Sequence, residues 1–374
     1  MVCCSKGALL VVGRGCRREL GLLPATMLIW SSLLATGVAQ SESPRETIAA
    51  EDRRAISAML NQFRVARRDP ARRAETVDEA IAKGTVHIAA LHDAIGREMQ
   101  PQLTRYRNAF YQQAATRSKS HLEKADLQEV AALRQKVLGL QHQPNFTKEL
   151  IAQDGEPALA RLQEVFVVGR EAVLDASPAL QADRERLKEL GLLWERCAVA
   201  LYDQLPNDEN KPKQPPSFEA YLAGEEAMAA GLAVPMDAQT RQILAANNRL
   251  AARLEPEETR AVLALNLTRN LLGLSALLVD LQLCAAARDH SNDMQAHGFF
   301  AHESPLPGKT TPWDRAKRFG TTASGENIAM GYRDGQAVNM AWFVSPGHHT
   351  NMLGNHTRVG MGQVGAHFTE LFGR

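Results

Sequence analysis

The sequence predicts an α+β protein in which a long all-α region precedes a smaller C-terminal domain of different composition. Apolar residues recur at helical spacing throughout residues 43–204. A polar, proline-dense stretch then interrupts the helical pattern at residues 205–217. Seven of the 11 histidines fall within residues 290–367, together with most of the dense glycine, proline and tryptophan usage. We therefore expect any chemistry to lie in the C-terminal domain.

The composition is that of a folded and nearly neutral protein. Of the 374 residues, 45% are hydrophobic and 23% are charged, which is enough apolar material for a core. Lys and Arg total 43 and Asp and Glu total 42, so the formal net charge is +1. A charge this small gives no long-range attraction for polyanions, and nucleic acid is therefore not expected as a partner.

The sequence pattern of residues 1–39 is typical of a targeting segment. A basic stretch ends at Arg18, and an uncharged apolar run follows from Leu20 to Ala39. Gly37-Val38-Ala39 supplies the small residues that signal peptidase requires, which favours cleavage before Gln40. The alternative is an uncleaved signal anchor, because the run is about as long as a membrane-spanning helix. Only an uncleaved anchor would make the membrane a partner. Both alternatives predict a protein that is secreted or that lies in the periplasm or cell envelope.

The region 43–204 is predicted to form several helices separated by short turns. Its apolar stripes include Ile56, Met59, Leu60 and Phe63, and then Leu159, Leu162, Phe166 and Val173. Turn signals lie at Asp69-Pro70, Gly84, Gln143-Pro144-Asn145 and Asp154-Gly155-Glu156-Pro157. These features predict a helical bundle or an array of helical hairpins, with coiled-coil packing over one or two heptads.

Composition also predicts where the domains begin and end. Residues 205–217 form the best linker candidate of the chain. Helical patterning returns in a connector at residues 218–255, and Glu255-Pro256-Glu257 is typical of a new helix start, with proline and acids in the first turn. The C-terminal domain is therefore predicted to span residues 256–374.

The cysteines predict no disulfide scaffold. Three of the five lie in the leader, so only Cys197 and Cys284 remain, and the sequence leaves open whether these two pair. Cys197 falls on an apolar helical face with Leu190, Trp194 and Leu201, which predicts a buried thiol.

Three short stretches of the C-terminal domain combine histidine, acidic and aromatic residues. They are Phe299-Phe300-Ala301-His302-Glu303-Ser304-Pro305, Gly325-Glu326-Asn327-Ile328-Ala329 and Trp342-Phe343-Val344-Ser345-Pro346-Gly347-His348-His349. In this order, and followed by Arg358-Val359-Gly360-Met361-Gly362, they resemble the CAP superfamily in its compact bacterial form. This superfamily is also called SCP-like, or cysteine-rich secretory, antigen 5 and pathogenesis-related 1 proteins. The resemblance covers about a third of the chain.

The resemblance implies a three-layer α-β-α sandwich whose cleft is lined by two histidines and two acids. His302 and His348 match the two histidines of the family, and Glu326 matches its first glutamate. The second glutamate is missing, because Ser345 stands where the family pattern Trp-x-x-Glu places it. This departure argues against a mechanism that needs two carboxylates.

The residues themselves also favour His348 as a ligand. Ser345-Pro346 predicts the start of a helix, so His348 should lie in the first turn, where the positive end of the helix dipole disfavours imidazolium. Two neutral imidazoles and one carboxylate form a set that Zn²⁺ or another divalent cation accepts. His302, Glu326 and His348 are therefore also candidate metal ligands, and the alternative is a purely structural hydrogen-bond network of the same side chains.

Neighbouring residues are given supporting roles. Four of them are predicted to lie around the cleft: Asn327, Ser345, His349 and His290. Three more are predicted from residue type alone, Arg315 to form surface ion pairs and Trp313 and Trp342 to fill the core.

These features favour a binding protein over an enzyme. The favoured function is binding of a divalent cation, a small amphiphile or a protein partner in the His/Glu cleft. The first alternative is a metal-dependent, peptidase-like hydrolase in which Glu326 is the catalytic base. The second alternative is a structural spacer of the cell envelope, built by the helical region.

Overall fold

The computed structural model describes residues 50–207, 211 and 215–374. The predicted leader, residues 1–39, lies outside the described residues. Of the helices within the described ranges, none combines the length and the apolar character that crossing a bilayer would require.

Helices dominate the chain before residue 256. They are α1 (Ala50–Val65), α2 (Pro70–Lys83), α3 (Thr85–Leu122), α4 (Leu127–Gly139), α5 (Lys148–Leu150), α6 (Glu156–Phe166), α7 (Arg170–Leu174), α8 (Pro178–Asp203), α9 (Phe218–Leu232) and α10 (Ala238–Leu250). Their ends follow capping rules, since the side chains of Asp69, Ser177 and Ser217 accept from backbone N–H groups of α2, α8 and α9. The all-α prediction for this region is confirmed.

The break predicted at Asp154-Gly155-Glu156-Pro157 is wrong. The chain stays helical there, passing from α5 through a π-helical turn at Ile151–Gly155 directly into α6. Pro157 directly follows the π-helical turn, where the regular α-helical hydrogen-bond pattern is already interrupted. Gly155 lets the helix approach Leu140, whose Cδ1 would lie 2.9 Å from an added Cβ.

The helices before residue 256 divide between two hydrophobic cores. One core joins α1, α2, α3, α7, α8 and α9, and we call this group the helical unit. Val137 of α4 and Leu162 of α6 instead pack in a second core with Leu265 and Phe368 of the C-terminal domain. The predicted bundle is therefore not a single body, because α4 and α6 bury their apolar faces against the C-terminal domain.

The C-terminal domain adds five helices and a four-stranded sheet. The helices are α11 (Pro256–Leu271), α12 (Leu281–His297), α13 (Pro312–Arg318), α14 (Gly335–Phe343) and α15 (Pro346–Leu353). The strands are β1 (Leu278–Val279), β2 (Gly325–Met330), β3 (Arg358–Val364) and β4 (His367–Gly373). They lie in the order β1-β3-β4-β2, with β1 parallel to β3 and the other pairs antiparallel. The α+β prediction is confirmed.

Helices cover both faces of this sheet. On one face α12 lies directly on β3, because Gly360 and Gly362 have no side chain to hold it away. Ala316 of α13 joins the same layer beside Leu371. On the other face, Trp342 of α14 and Met352 of α15 pack in the second core with α11. The edge strand β2 passes between these two helical layers.

Candidate functional site

Glu326 is the second residue of the edge strand β2 and is almost completely buried. In the antiparallel ladder it lies opposite Leu371, so its side chain points to the face covered by α12 and α13. Both carboxylate oxygens are occupied. Oε1 lies 2.9 Å from Nδ1 of His302, and Oε2 accepts from Nη2 of Arg315 at 2.5 Å.

His302 lies in the loop between α12 and α13, and its side chain is 52% exposed. Several contacts hold this loop in place. Nη2 of Arg315 donates to the carbonyl of His302, Ser304 donates its N–H to the carbonyl of Thr310, and Lys309 pairs with Asp289 and Asp293 of α12. The ring therefore reaches solvent from a loop that is held in place.

His348 is the third residue of α15, which confirms the prediction of a first-turn histidine. Its ring centroid lies 6.4 Å from that of Trp342. Partial burial lowers the pKa of His348, and the nearby imidazole of His302 lowers it further. The prediction of a neutral His348 therefore agrees in direction, but burial is the larger cause. The effect of His302 on this pKa indicates only that the two imidazoles lie within electrostatic range of each other.

The His302–Glu326 bond fixes what each group can do. A carboxylate only accepts hydrogen bonds, so the proton of a neutral His302 ring lies on Nδ1 and the lone pair on Nε2. Nε2 is then an acceptor directed away from Glu326. Glu326 itself orients the imidazole, and its 2% exposed side chain is shielded from a ligand. The arrangement resembles the acid–histidine half of a hydrolytic triad.

The donor set does not fit a resident metal ion. Within the part of the chain that the structure describes, no group of three or more His, Cys, Asp or Glu side chains is arranged to hold one. Glu326 is neutralised by the fully buried guanidinium of Arg315, which would also repel a divalent cation. A cation held by all three predicted ligands would compete with Arg315 and His302 for Glu326.

The four residues predicted around the cleft separate into two groups. Asn327 lies behind the cleft, on the face of β2 opposite Glu326, where Nδ2 contacts the carbonyl of His348 at 3.4 Å and Oδ1 accepts from Asn351 at 2.9 Å. His290 of α12 contacts the His302 loop, since its Nε2 lies 3.0 Å from the carbonyl oxygen of Ala301. Burial lowers the pKa of His290 to about 4, so the ring is neutral and Nε2–H is the donor.

Ser345 and His349 serve the helix rather than the cleft. Ser345 precedes α15, and its carbonyl accepts from the N–H of His349 at 2.7 Å, but its hydroxyl makes no capping bond. His349 is fully buried and points away from the cleft, with Nδ1 2.6 Å from the carbonyl of Phe343 and its ring against Phe146. Successive helical residues point about 100° apart, which separates His349 from His348.

Two predictions from residue type are wrong and one is confirmed. Arg315 forms no surface ion pair, since its side chain is 0% exposed and donates to Glu326 and to three backbone carbonyls. Trp313 does not fill the core, because it lies 59% exposed near the start of α13. Trp342 is buried as predicted, and its Nε1–H donates to the carbonyl of Ile328.

A second buried acid lies behind the cleft and was not identified from the sequence. Glu370 of β4 accepts from Asn327 Nδ2 at 2.9 Å on the opposite face of the sheet from Glu326. Burial raises its pKa to about 8, against the opposing effects of Asn327 and Arg269. Period-two alternation along β4 could have placed it on the face of Phe368 and Phe372. Its orientation means that it does not replace the missing second glutamate.

Both described cysteines are free and buried. Cys197 packs in the core of the helical unit and Cys284 in the second core, so they do not pair with each other. Burial raises the pKa of each thiol to about 12, which leaves neither as a nucleophile near neutral pH. The predicted buried thiol at Cys197 is confirmed.

Comparison with known protein families places a match in the C-terminal domain. Residues 262–366 match the family model described as CAP, the cysteine-rich secretory protein family. The uncharacterized protein YkwD of Bacillus subtilis is 38% identical over 120 residues, covering 31% of this chain and 46% of YkwD. The uncharacterized membrane protein YlbC of the same organism is 32% identical over 101 residues, covering 27% of this chain and 29% of YlbC.

One solved structure is also similar. It is the crystal structure of an extracellular protein containing a SCP domain from Bacillus anthracis, with 26% sequence identity and a TM-score of 0.30. The match covers 40% of this chain and 49% of the other. This chain spans less than half of the length of both curated relatives.

Proposed function

Because residues 262–366 form a domain of the cysteine-rich secretory protein (CAP) family, we propose that this chain is an extracytoplasmic binding protein whose cleft of His302, Glu326 and His348 holds a ligand. The ligand is a protein segment or small amphiphile that presents an uncharged hydrogen-bond donor, such as a hydroxyl or amide N–H. The proposal depends on the 2.9 Å contact between His302 Nδ1 and Glu326 Oε1, which leaves Nε2 of this half-exposed side chain as an oriented acceptor.

The charge balance of the cleft supports a neutral ligand. Arg315 offsets the charge of Glu326, and the lowered pKa of His348 keeps that ring uncharged near neutral pH. Arg315 and Glu326 are buried and paired with each other, so neither is free to pair with a charged ligand. Neither charge gains a free partner in the cleft, so a hydrogen-bonding neutral group is favoured.

The test is to titrate the full chain with 1-octanol, a library of unstructured peptides and Zn²⁺ as separate probes. We expect saturable binding of the octanol or of a peptide, weakened about tenfold or more in His302→Ala. The matched control is His297→Ala, which removes an exposed histidine at the end of α12. Equal affinity in both variants would contradict the proposal. Stoichiometric Zn²⁺ heats that disappear in His348→Ala would establish a metal site instead.

A hydrolase is the second candidate, and one observation favours it. The His302–Glu326 pair has the geometry by which a carboxylate orients a general base, with His302 and not Glu326 accepting the proton. Turnover of peptide or ester substrates by the full chain would favour this candidate if it is abolished in His302→Ala. Absence of turnover with retained octanol or peptide binding would favour the binding function.

The leader supports the extracytoplasmic location. Basic residues up to Arg18, the apolar run and Gly37-Val38-Ala39 together have the order that export signals require. N-terminal sequencing of the protein recovered from its own cells is expected to begin at Gln40. Recovery of the intact leader in the membrane fraction would favour the anchor, and recovery with soluble cytoplasmic proteins would contradict export.

The spacer alternative is less well supported by the packing. A spacer holds a domain at a distance, whereas α4 and α6 share the core of the C-terminal domain. Glu225 of the helical unit also pairs with Arg260 of α11 inside the protein. The helical region is thus packed against the C-terminal domain rather than extended from it.

A further inference from the structure

A cavity of about 540 Å³ lies where the helical unit meets the C-terminal domain. Its walls come from α8, the start of α9 with the preceding prolines, α11, α14 and the loop that follows β2. Glu326 lies near the start of β2, and the cavity begins at Gly331, just beyond the end of this strand. It is therefore a site separate from the His302 cleft. Its size falls within the range of small-ligand sites, which often form between domains.

One part of the wall is aromatic and apolar. Tyr221 of α9 and Trp194 of α8 are largely buried, with ring centroids 6.4 Å apart. Tyr332 and Met340 face them from the C-terminal domain, and Met340 is 38% exposed. Flat rings of this kind pack against ligands that have flat apolar faces.

The other part of the wall is polar but its charge is matched within the protein. Arg260 is 3% exposed, pairs with Glu225, and donates to Asp334 Oδ2 at 3.2 Å. Asp334 also accepts from the N–H of Ala337 at the start of α14. Arg333 is buried and engaged within the protein. The amide of Gln336 completes this wall. The cavity thus presents fixed donors and acceptors with no bare charge that a ligand must neutralise.

From these walls we infer that the cavity binds a neutral saccharide of one to three rings. A sugar ring has an apolar C–H face for Tyr332 and the exposed Met340, and it has several hydroxyls for Asp334 and Gln336. A simple alkyl chain would displace water from that polar wall without replacing its hydrogen bonds, which is unfavourable. A charged ligand would compete with the ion pairs already present.

The test uses N,N′-diacetylchitobiose titrated into the full chain, with tryptophan emission as the readout because Trp194 lies in the wall. We expect a saturable emission change with a dissociation constant below about 1 mM. The response should persist in Trp313→Phe, which removes the exposed tryptophan, and in His302→Ala, which alters only the other cleft. Persistence in His302→Ala separates this inference from the proposed function.

Two variants test whether the saccharide binds in this cavity. Ala337→Phe places a ring into the cavity from an exposed position of α14 and is expected to weaken binding at least tenfold. Gln336→Ala removes one polar contact and is expected to weaken it about threefold to tenfold, which provides a second reading if Ala337→Phe fails to fold. The inference is overturned by no response up to 10 mM (roughly tenfold above the expected constant). It is equally overturned by unchanged affinity in both variants, or by a stronger response to decanoate than to the saccharide.

Discussion

Arg315 Nη2 lies 2.5 Å from Glu326 Oε2, and the two side chains are 0% and 2% exposed. The same guanidinium donates to the carbonyls of His302, Lys309 and Thr310. One residue of α13 thus joins the edge strand β2 to the loop that carries His302. The geometry of the cleft depends on this buried pair.

Replacing Arg315 with methionine is expected to destabilise the protein by about 3–5 kcal/mol, because Glu326 then remains buried without its cation. Chemical denaturation of the purified chain measures this loss. The control is Arg318→Met, since Arg318 is exposed on the same helix, and its effect is expected to stay within about 0.5 kcal/mol. Similar losses in the two variants would show that Arg315 has no special role.

The buried carboxyl of Glu370 predicts a pH dependence of stability. An ordinary glutamate in the unfolded chain releases its proton near 4.5, whereas burial raises the pKa of folded Glu370 to about 8. Between these values the folded state binds more protons, so this residue makes stability fall as pH rises, by about 1.4 kcal/mol per pH unit. Glu370→Gln keeps the shape and cannot ionise.

We therefore expect Glu370→Gln to gain stability relative to the wild type between pH 5 and pH 8, with the gain levelling off above pH 8. Denaturation at a series of pH values measures the difference. Glu303→Gln, at an exposed position of the His302 loop, is expected to give a flat difference over the same range. A flat profile for Glu370→Gln would mean that Glu370 is ionised when folded.

The close contact between β3 and α12 predicts that Gly360 tolerates no side chain. An added Cβ would lie 2.3 Å from both the carbonyl carbon and the Cβ of Leu283, and the backbone of α12 cannot yield without moving the helix. Gly360→Ala is expected to cost about 1–3 kcal/mol or more in thermal or chemical denaturation. Gly139→Ala is the control, since nothing lies within 4 Å of its added Cβ, and it should be neutral or stabilising.

Local signals predicted the elements and part of the site. Ser345-Pro346 gave the start of α15, so the first-turn position of His348 could be derived without tertiary information. Glu326 and His302 could be paired only through the family resemblance, because 24 residues separate them and no local rule connects a loop to an edge strand. Once the pairing is known, the orientation of the imidazole follows from ordinary hydrogen-bond chemistry.

The sequence predictions failed where packing between neighbouring elements decides which residues are buried. Helix α13 has seven residues, too few for apolar periodicity to distinguish Arg315 from Trp313. Residue type then suggested an exposed arginine and a buried tryptophan, whereas Arg315 is buried against Glu326 and Trp313 is exposed. Glu370 was missed because a carboxylate in an apolar strand gives no sign of its partner across the sheet.

The contact between the helical unit and the C-terminal domain predicts a coupled unfolding. Glu225 of α9 is 1% exposed, accepts from Arg107 of α3 at 2.5 Å, and pairs with Arg260 of α11. Its single carboxylate therefore satisfies one guanidinium from each body. Glu225→Gln would leave both guanidinium groups buried with less compensation, and we expect a loss of about 3–5 kcal/mol.

Calorimetry of the full-length Glu225→Gln variant should show two separate unfolding transitions, because the two cores would no longer share a buried carboxylate. Glu219→Gln is the matched control on the same helix. Its carboxylate is 51% exposed and pairs with Arg184, so removal should cost less than about 1 kcal/mol. A double-mutant cycle with Arg260→Met then isolates the contact across the interface. A coupling energy near zero would mean that apolar packing alone joins the two bodies.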